Sequence, residues 1–321
     1  MNREIPQWTL KDVQTHLQAA VDLELWTIPF YMAAMYSIKD RSDTSFQLIQ
    51  TVVYQEMLHL QLAANVANAY GCEVSVTPPE YVGHHIPHLN FRLDKPDPRR
   101  EFHPYSAEIG PLDVERANSM CLIEYPKWES HHPPELRPNI EEYGSIGQFY
   151  KAVRFGMIER AQDLRGGHNQ VDVLRRFYQN VDRFTVHESG PAGLEQALRL
   201  ISVITTQGEG ETRGEVDVPT MFQNTADDAN ANWAHFGKFT DVREAVLGGC
   251  PPATYEGIKD PPPGSPGHAA QEILIRDFRR LCGEMQALFR GEPLGEFGPH
   301  MAKVGASIAN CWKNGAVPRF S

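Results

Sequence analysis

The amino-acid sequence predicts an all-α protein, a helical bundle with one long crossover and extra helices at its C-terminal end. Three observations carry this. Apolar residues recur at three- and four-residue spacing over two long stretches near the N-terminus, the pattern of helices that bury one stripe. Within the second stretch Glu56 and His59 stand three residues apart, so on a helix both project from one face among apolar neighbours. From Cys72 to Gly144 the chain turns rich in Pro and His with no sustained period, far longer than a tight connection between neighbouring helices.

Taken in order, Thr9 is a cap-like residue with Asp12 three positions later, and Leu17, Val21, Leu25, Ile28, Met32 and Met35 follow at helical spacing to about Ile38. Glu24 interrupts the apolar middle of this helix, and Pro29 lies five residues on, where a proline removes a hydrogen bond and kinks the rod. Arg41 to Thr44 is a short polar turn, so the next helix, about Ser45 to Tyr70, is an antiparallel neighbour on which Glu56 can face Glu24. Gly71 stops it. Inside the crossover Met120 to Pro126 reads as a short docked apolar segment, while His84, His85, His88, His131 and His132 read as loop histidines meeting water. A third helix starts at Ser145 and ends near Gln162, and a fourth runs from about Ala192 to Gln207, where Gly208 and Gly210 bracket Glu209. A fifth, from about Asp228 to Leu247, places His235 as the counterpart of His59. The Pro-rich run Pro261 to Gly267 precedes two last helices, about Ala269 to Phe289 and Gly295 to Trp312, expected to pack on the bundle. The expected division is a metal-binding bundle over 1–250, with 72–144 as crossover and lid, and C-terminal helices over 260–321.

Composition removes several classes of function. With 30 basic against 41 acidic residues the net charge is −11, so a nucleic-acid or anionic-membrane partner is not expected. The first residues lack a signal-peptide core and no apolar run is long enough to span a bilayer, which reads as a cytoplasmic protein. The 5 cysteines are odd in number and contain no Cys-x-x-Cys, which suits reduced thiols. No Gly-rich phosphate loop, nucleophile elbow or dinucleotide fingerprint is present. A Glu-x-x-His pair is instead half of a carboxylate-bridged metal site when a neighbouring helix adds a Glu, the arrangement of ferritin-like four-helix bundles.

Five stretches then resemble a known family: Leu17 to Pro29, Glu56 to Leu60, Ser145 to Tyr150, Gln207 to Gly210, and His235 to Phe239. Together, over roughly Thr9 to Leu247, they resemble the ferritin-like domain shared with the iminophenyl-pyruvate dimer synthases of violacein and related bisindole pathways. The resemblance implies a ferritin-like bundle whose metal ligands are Glu24, Glu56, His59, Glu209 and His235. It also leads one to expect a Glu three residues before His235, where this chain has Asn232. A neutral ligand there lowers the negative charge that balances two divalent ions, leaving one or two metals open, with Asp228 and Glu211 as alternative donors. The function expected is a non-haem iron (Fe2+) oxidase or oxygenase that uses dioxygen on a small organic, aromatic or amino-acid-derived metabolite of secondary metabolism. Trp26, Tyr31, Tyr54, Trp233 and Phe236 are candidate walls of its site. The alternative is a ferritin-like metal-binding protein that handles iron, or acts as a scaffold, without an organic substrate. Oligomeric state is left open.

Overall fold

The computed structural model describes residues 7–94, 96–126, 137, 140, 143–174, 184–208, 234–293 and 297–321. Among them it is helical, with α1 Leu10–Ser37, α2 Thr44–Ala69, α3 Val114–Ile123, α4 Ile146–Glu159, α5 Gly190–Gln207, α6 His235–Leu247, α7 Pro266–Phe289 and α8 Phe297–Lys313. No β-strand occurs among the described residues; isolated bridges such as Ile38 to Thr254 tie loops together.

Two continuous rods, α1 and α2, form the middle of the molecule. α1 starts on a full capping box, in which the Thr9 hydroxyl accepts from the Asp12 N–H while the Asp12 carboxylate accepts from the Thr9 N–H. α2 starts on Asp43, whose carboxylate accepts from the Ser45 N–H, and ends before Gly71, whose φ of +68° a side-chain-bearing residue adopts only with strain. Both rods are buried on nearly every side, more than the one stripe that the apolar spacing predicts; Leu17, Val21, Leu23, Ala33, Ile49, Leu58 and Leu62 among others are out of solvent. Glu24 meets His59, Thr27 meets Glu56, and Gln14 donates to the Tyr70 carbonyl, the register of an antiparallel pair.

On one side of this pair lie four shorter helices. α4 and α5 pack on each other, on α1 and on α2 respectively; α3 and α6 pack on each other, and α6 on α2. α4 is seated by Trp8, which packs where a side chain on Gly156 would stand. On the other side lie α7 and α8, a tightly packed pair. α8 rests on α1, with the Trp312 indole N–H donating to the Ala33 carbonyl at 2.9 Å.

Two sequence expectations need correction. The segment around Met120 is a ten-residue helix with Asp113 as its N-cap, and Glu124 is its C-cap. The fifth expected helix begins at His235, with Ala234 extended at φ −63° and ψ 161°, rather than near Asp228. Ala234 carries no capping side chain, so nothing in the sequence marked the start at His235.

Candidate metal centre

Two carboxylates and an imidazole come from the middle of the rods, where the backbone is regular and packing fixes each side chain. Glu24 projects from α1, Glu56 and His59 from one face of α2. His235 projects from the first residue of α6, and Glu124 from the end of α3. All five are at most 2% exposed. The ligand atoms of Glu56, His59 and His235 lie within 4.8 Å of one another.

Glu56 is central. Its Oε1 is 3.7 Å from His59 Nδ1 and 2.8 Å from His235 Nδ1, while its Oε2 accepts from the Thr27 hydroxyl at 2.7 Å. The outer carboxylates repeat one arrangement on either side. Glu24 turns Oε2 to His59 Nδ1 at 3.6 Å and accepts from the Tyr150 hydroxyl on Oε1. Glu124 turns Oε2 to His235 Nδ1 at 3.6 Å and accepts from the Tyr31 hydroxyl on Oε1, at 2.6 Å. The imidazole rings stack at 5.3 Å and 24°.

The outer nitrogen of each ring fixes which inner one is free. His59 Nε2 lies 2.9 Å from Gln207 Oε1, and His235 Nε2 lies 2.9 Å from Gln55 Oε1. A carbonyl oxygen only accepts, so each Nε2 carries the hydrogen and each Nδ1 of a neutral ring presents a lone pair. Both lone pairs then point at carboxylate oxygens. His235 Nδ1 is buried beside Glu56 without the alignment of a hydrogen bond to any group. Acceptors facing acceptors out of water repel, and each buried carboxylate costs several kcal/mol in lost hydration unless a cation lies among them. The donor set is three carboxylates and two imidazoles, a nitrogen and oxygen set that suits first-row divalent metals, with the Gln207 and Gln55 amides behind the rings orienting them. These residues fit a metal.

Protons answer the same electrostatic need. Burial, followed by the charge of Glu56, pushes the Glu24 carboxyl up to about 7. Burial alone raises Glu56, yet His235 and His59 outweigh it and hold Glu56 well below the usual carboxylate range. Burial lowers both imidazoles, but Glu24 and Glu56 carry His59 well above its ordinary value, and Glu124 and Glu56 raise His235. Tyr31 is pushed far up by burial and then by Glu124, so it stays a hydroxyl donor.

The structure thus brings together four of the five residues singled out from the sequence, Glu24, Glu56, His59 and His235. Glu209, Asn232, Glu211 and Asp228 lie outside the described residues. Gly208, which precedes Glu209, is close by: a Cβ on it would stand 3.4 Å from Glu124 Oε2 and 3.9 Å from His59 Cε1. Sequence reasoning missed Glu124, although an acid closing the apolar run Met120 to Ile123 gave the same signal as Glu24. It also missed Tyr31 and Tyr150 as carboxylate donors, and the buried Lys238, one turn along α6 from His235, whose ammonium donates to Thr51. Of the candidate walls, Tyr31 touches the centre through Glu124. Tyr54 does not line it, being 44% exposed, because the Glu56 face of α2 is turned away from it. Trp26 stacks on Phe30 and meets Tyr81 at a tilt, and Phe236 packs on Phe102 and Tyr125. Trp233 lies outside the described residues. His84 packs on Tyr105 and His88 on Phe149, away from the centre; His131 and His132 lie outside the described residues.

Residues 17–244 match the model of a family described as ferritin-like. No curated protein matches the chain. Among solved structures, the crystal structure of a ferritin-like protein from Caulobacter vibrioides is similar, with 45% sequence identity, a TM-score of 0.86, and coverage of 98% of this chain and 100% of that one. With most of its length matched in sequence and nearly all of it in structure, the chain belongs to the ferritin-like family.

Proposed function

We propose that the protein is a non-haem iron oxidoreductase that uses dioxygen to oxidise a small organic metabolite. The observation that carries this reading is the pair of imidazole lone pairs aimed at three buried carboxylates. Glu24, Glu56 and His59 form one half of a ligand set and Glu56, Glu124 and His235 the other, with Glu56 shared. This mirrored arrangement supports two iron sites, and Glu124 supplies the carboxylate that position 232 lacks. A ferrous ion bound there supplies the electrons and the open positions that dioxygen chemistry requires.

The chain's own residues have distinct tasks. Gln55 and Gln207 hold the rings in one tautomer. Tyr31 and Tyr150 each occupy one oxygen of an outer carboxylate, leaving the other for the centre. Phe239, packed on Tyr31, helps exclude water. The resemblance to the domain of iminophenyl-pyruvate dimer synthases supports an aromatic or amino-acid-derived substrate in secondary metabolism, and a cytoplasmic setting suits the reduced thiols.

A second reading, iron handling without an organic substrate, is favoured by the near-complete burial of all five side chains. The test is oxygen consumption by the anaerobically iron-loaded protein, with and without indoles and aromatic amino and keto acids. Uptake beyond one oxidation of the bound iron, sustained only with an organic compound, supports the first reading. A single stoichiometric uptake that no such compound extends supports the second.

A further inference from the structure

Tyr31 ties the metal centre to a row of aromatic rings that leads to the surface. Its hydroxyl donates to Glu124 at 2.6 Å, and its ring meets that of Phe30 at 6.1 Å. Phe30 stacks on Trp26, about one turn back along α1, at 5.0 Å and 21°. Trp26 in turn meets Tyr81 at 4.9 Å. Hydrogen bonds to backbone fix both rings: the Trp26 indole N–H donates to the Glu80 carbonyl, and the Tyr81 hydroxyl donates to the Trp26 carbonyl. Tyr31, Phe30 and Trp26 are at most 1% exposed, whereas Tyr81 lines a surface cleft of about 550 Å³ together with Val82, Ile109, Val317 and Phe320.

That volume is in the range of small-molecule sites, and none of the five side chains of the metal centre lines the cleft. A sealed centre and a roomy cleft are thus joined by rings at contact distance. Phenol and indole side chains give up an electron far more readily than a benzene ring does, so Tyr31, Trp26 and Tyr81 can each hold an oxidising equivalent while Phe30 fills the gap between two of them. The other outer carboxylate lacks such an exit. Tyr150 donates to Glu24 in the same way, but its ring continues through Phe149 to Tyr143, both at most 1% exposed.

We propose that the organic substrate binds in this cleft rather than at the metal centre, and that it is an electron-rich phenol or indole oxidised one electron at a time through Tyr81, Trp26, Phe30 and Tyr31. This rests on the iron and dioxygen reading above and gives that reading its substrate site. In each transfer Tyr31 gives an electron toward the centre and its hydroxyl proton to Glu124. An electron from Trp26 then refills Tyr31, which takes the proton back, and Tyr81 refills Trp26. The substrate refills Tyr81 and releases its O–H or N–H proton to water. Four such transfers, with four protons, reduce one dioxygen to two waters.

The first experiment uses metal-free protein carrying a ruthenium polypyridyl complex at Val82→Cys, on a background of Cys250→Ser and Cys72→Ser that removes the exposed and half-exposed thiols. After photo-oxidation of the complex, an indole radical and then a tyrosyl radical are expected in transient absorption. Tyr31→Phe should reduce the tyrosyl signal, and Trp26→Phe should remove the indole radical together with the part of the tyrosyl signal that depends on Tyr31. No radical beyond the label, or unchanged signals in Trp26→Phe, would overturn the inference. The second experiment gives iron-loaded protein guaiacol linked to a soluble dextran, too bulky to reach a buried centre. The linked phenol should sustain dioxygen uptake, and Trp26→Phe should abolish that uptake while holding as much iron as the parent. Oxidation of free guaiacol but not of the linked form would overturn the cleft as the substrate site. Because the photochemical experiment contains no iron, a row that carries nothing beside iron that consumes dioxygen overturns this inference alone, and a working row beside iron that consumes none overturns the proposed function.

Discussion

The two halves of the metal centre are built by different means from similar residues. On the α1–α2 side, Glu24, Glu56 and His59 stand in the middle of helices of 28 and 26 residues, where the backbone and the packing on every side set their directions. On the α3–α6 side, Glu124 is the C-cap that closes a ten-residue helix and His235 the first residue of a thirteen-residue one. There the ligands are held by helix ends and by single polar contacts, Tyr31 to Glu124 and Gln55 to His235. The helix ends add charge of their own. His235 sits at the positive end of α6, which favours a neutral ring and the carboxylates beside it, and Glu124 at the negative end of α3, which favours a cation. A rigid half and a half assembled from ends should respond differently to perturbation.

The largest effect is expected where the halves meet. Glu56→Ala removes the oxygen shared by both histidines, and ferrous-ion affinity should fall by more than about a hundredfold, measured by competition with a chromogenic chelator. The next pair sharpens the comparison itself. Glu24→Gln and Glu124→Gln each weaken one half, and in a two-iron centre each should lower the bound iron from two equivalents to one, read by elemental analysis. If both variants instead keep one equivalent equal to the parent's, the halves serve a single ion and the mirrored arrangement is misread.

Smaller changes follow from the orienting amides. Gln207→Leu and Gln55→Leu should each weaken iron binding by about tenfold to a hundredfold, through loss of ring orientation. The loss should be greater for Gln55, whose histidine projects from a helix end, and equal losses would erase the distinction drawn here.

The smallest effect concerns pH. Without metal, the Glu24 carboxyl is raised from 4.5 to about 7 and both imidazoles are raised above 6.5, so their stabilising protons are lost as pH climbs. Glu56, held low, acts in the opposite direction, but its contribution is lost only well below pH 4.5. The Tm of the metal-free protein should therefore fall between pH 5 and 8. Metal binding displaces these protons, so the rise in Tm on adding a divalent ion should grow over the same interval. A metal-induced rise in Tm that shrinks with pH would contradict this.

The same contrast explains what the sequence made legible. Glu24, Glu56 and His59 could be found because helical periodicity predicts which side chains share a face, and a polar residue inside an apolar stripe is conspicuous. The capping box at Thr9, the stop at Gly71 and the start of α4 at Ser145 were readable because caps depend on local chemistry. Glu124 was not found although it closes an apolar run as Glu24 interrupts one, since that run is short and its periodicity does not say which helix end meets which rod across 65 or more residues of chain. The start of α6 was placed too early for a related reason: Ala234 has no capping side chain to mark it. Tyr31 and Tyr150 were readable as buried aromatics but not as carboxylate donors, because that role depends on contacts between distant segments.

The most direct test is a crystal of the protein loaded anaerobically with ferrous ion, with anomalous data collected on both sides of the iron absorption edge. The account predicts anomalous density beside Glu56, one peak flanked by Glu24 and His59 and another by Glu124 and His235. Iron bound elsewhere, or no peak among these five side chains at full loading, would contradict it.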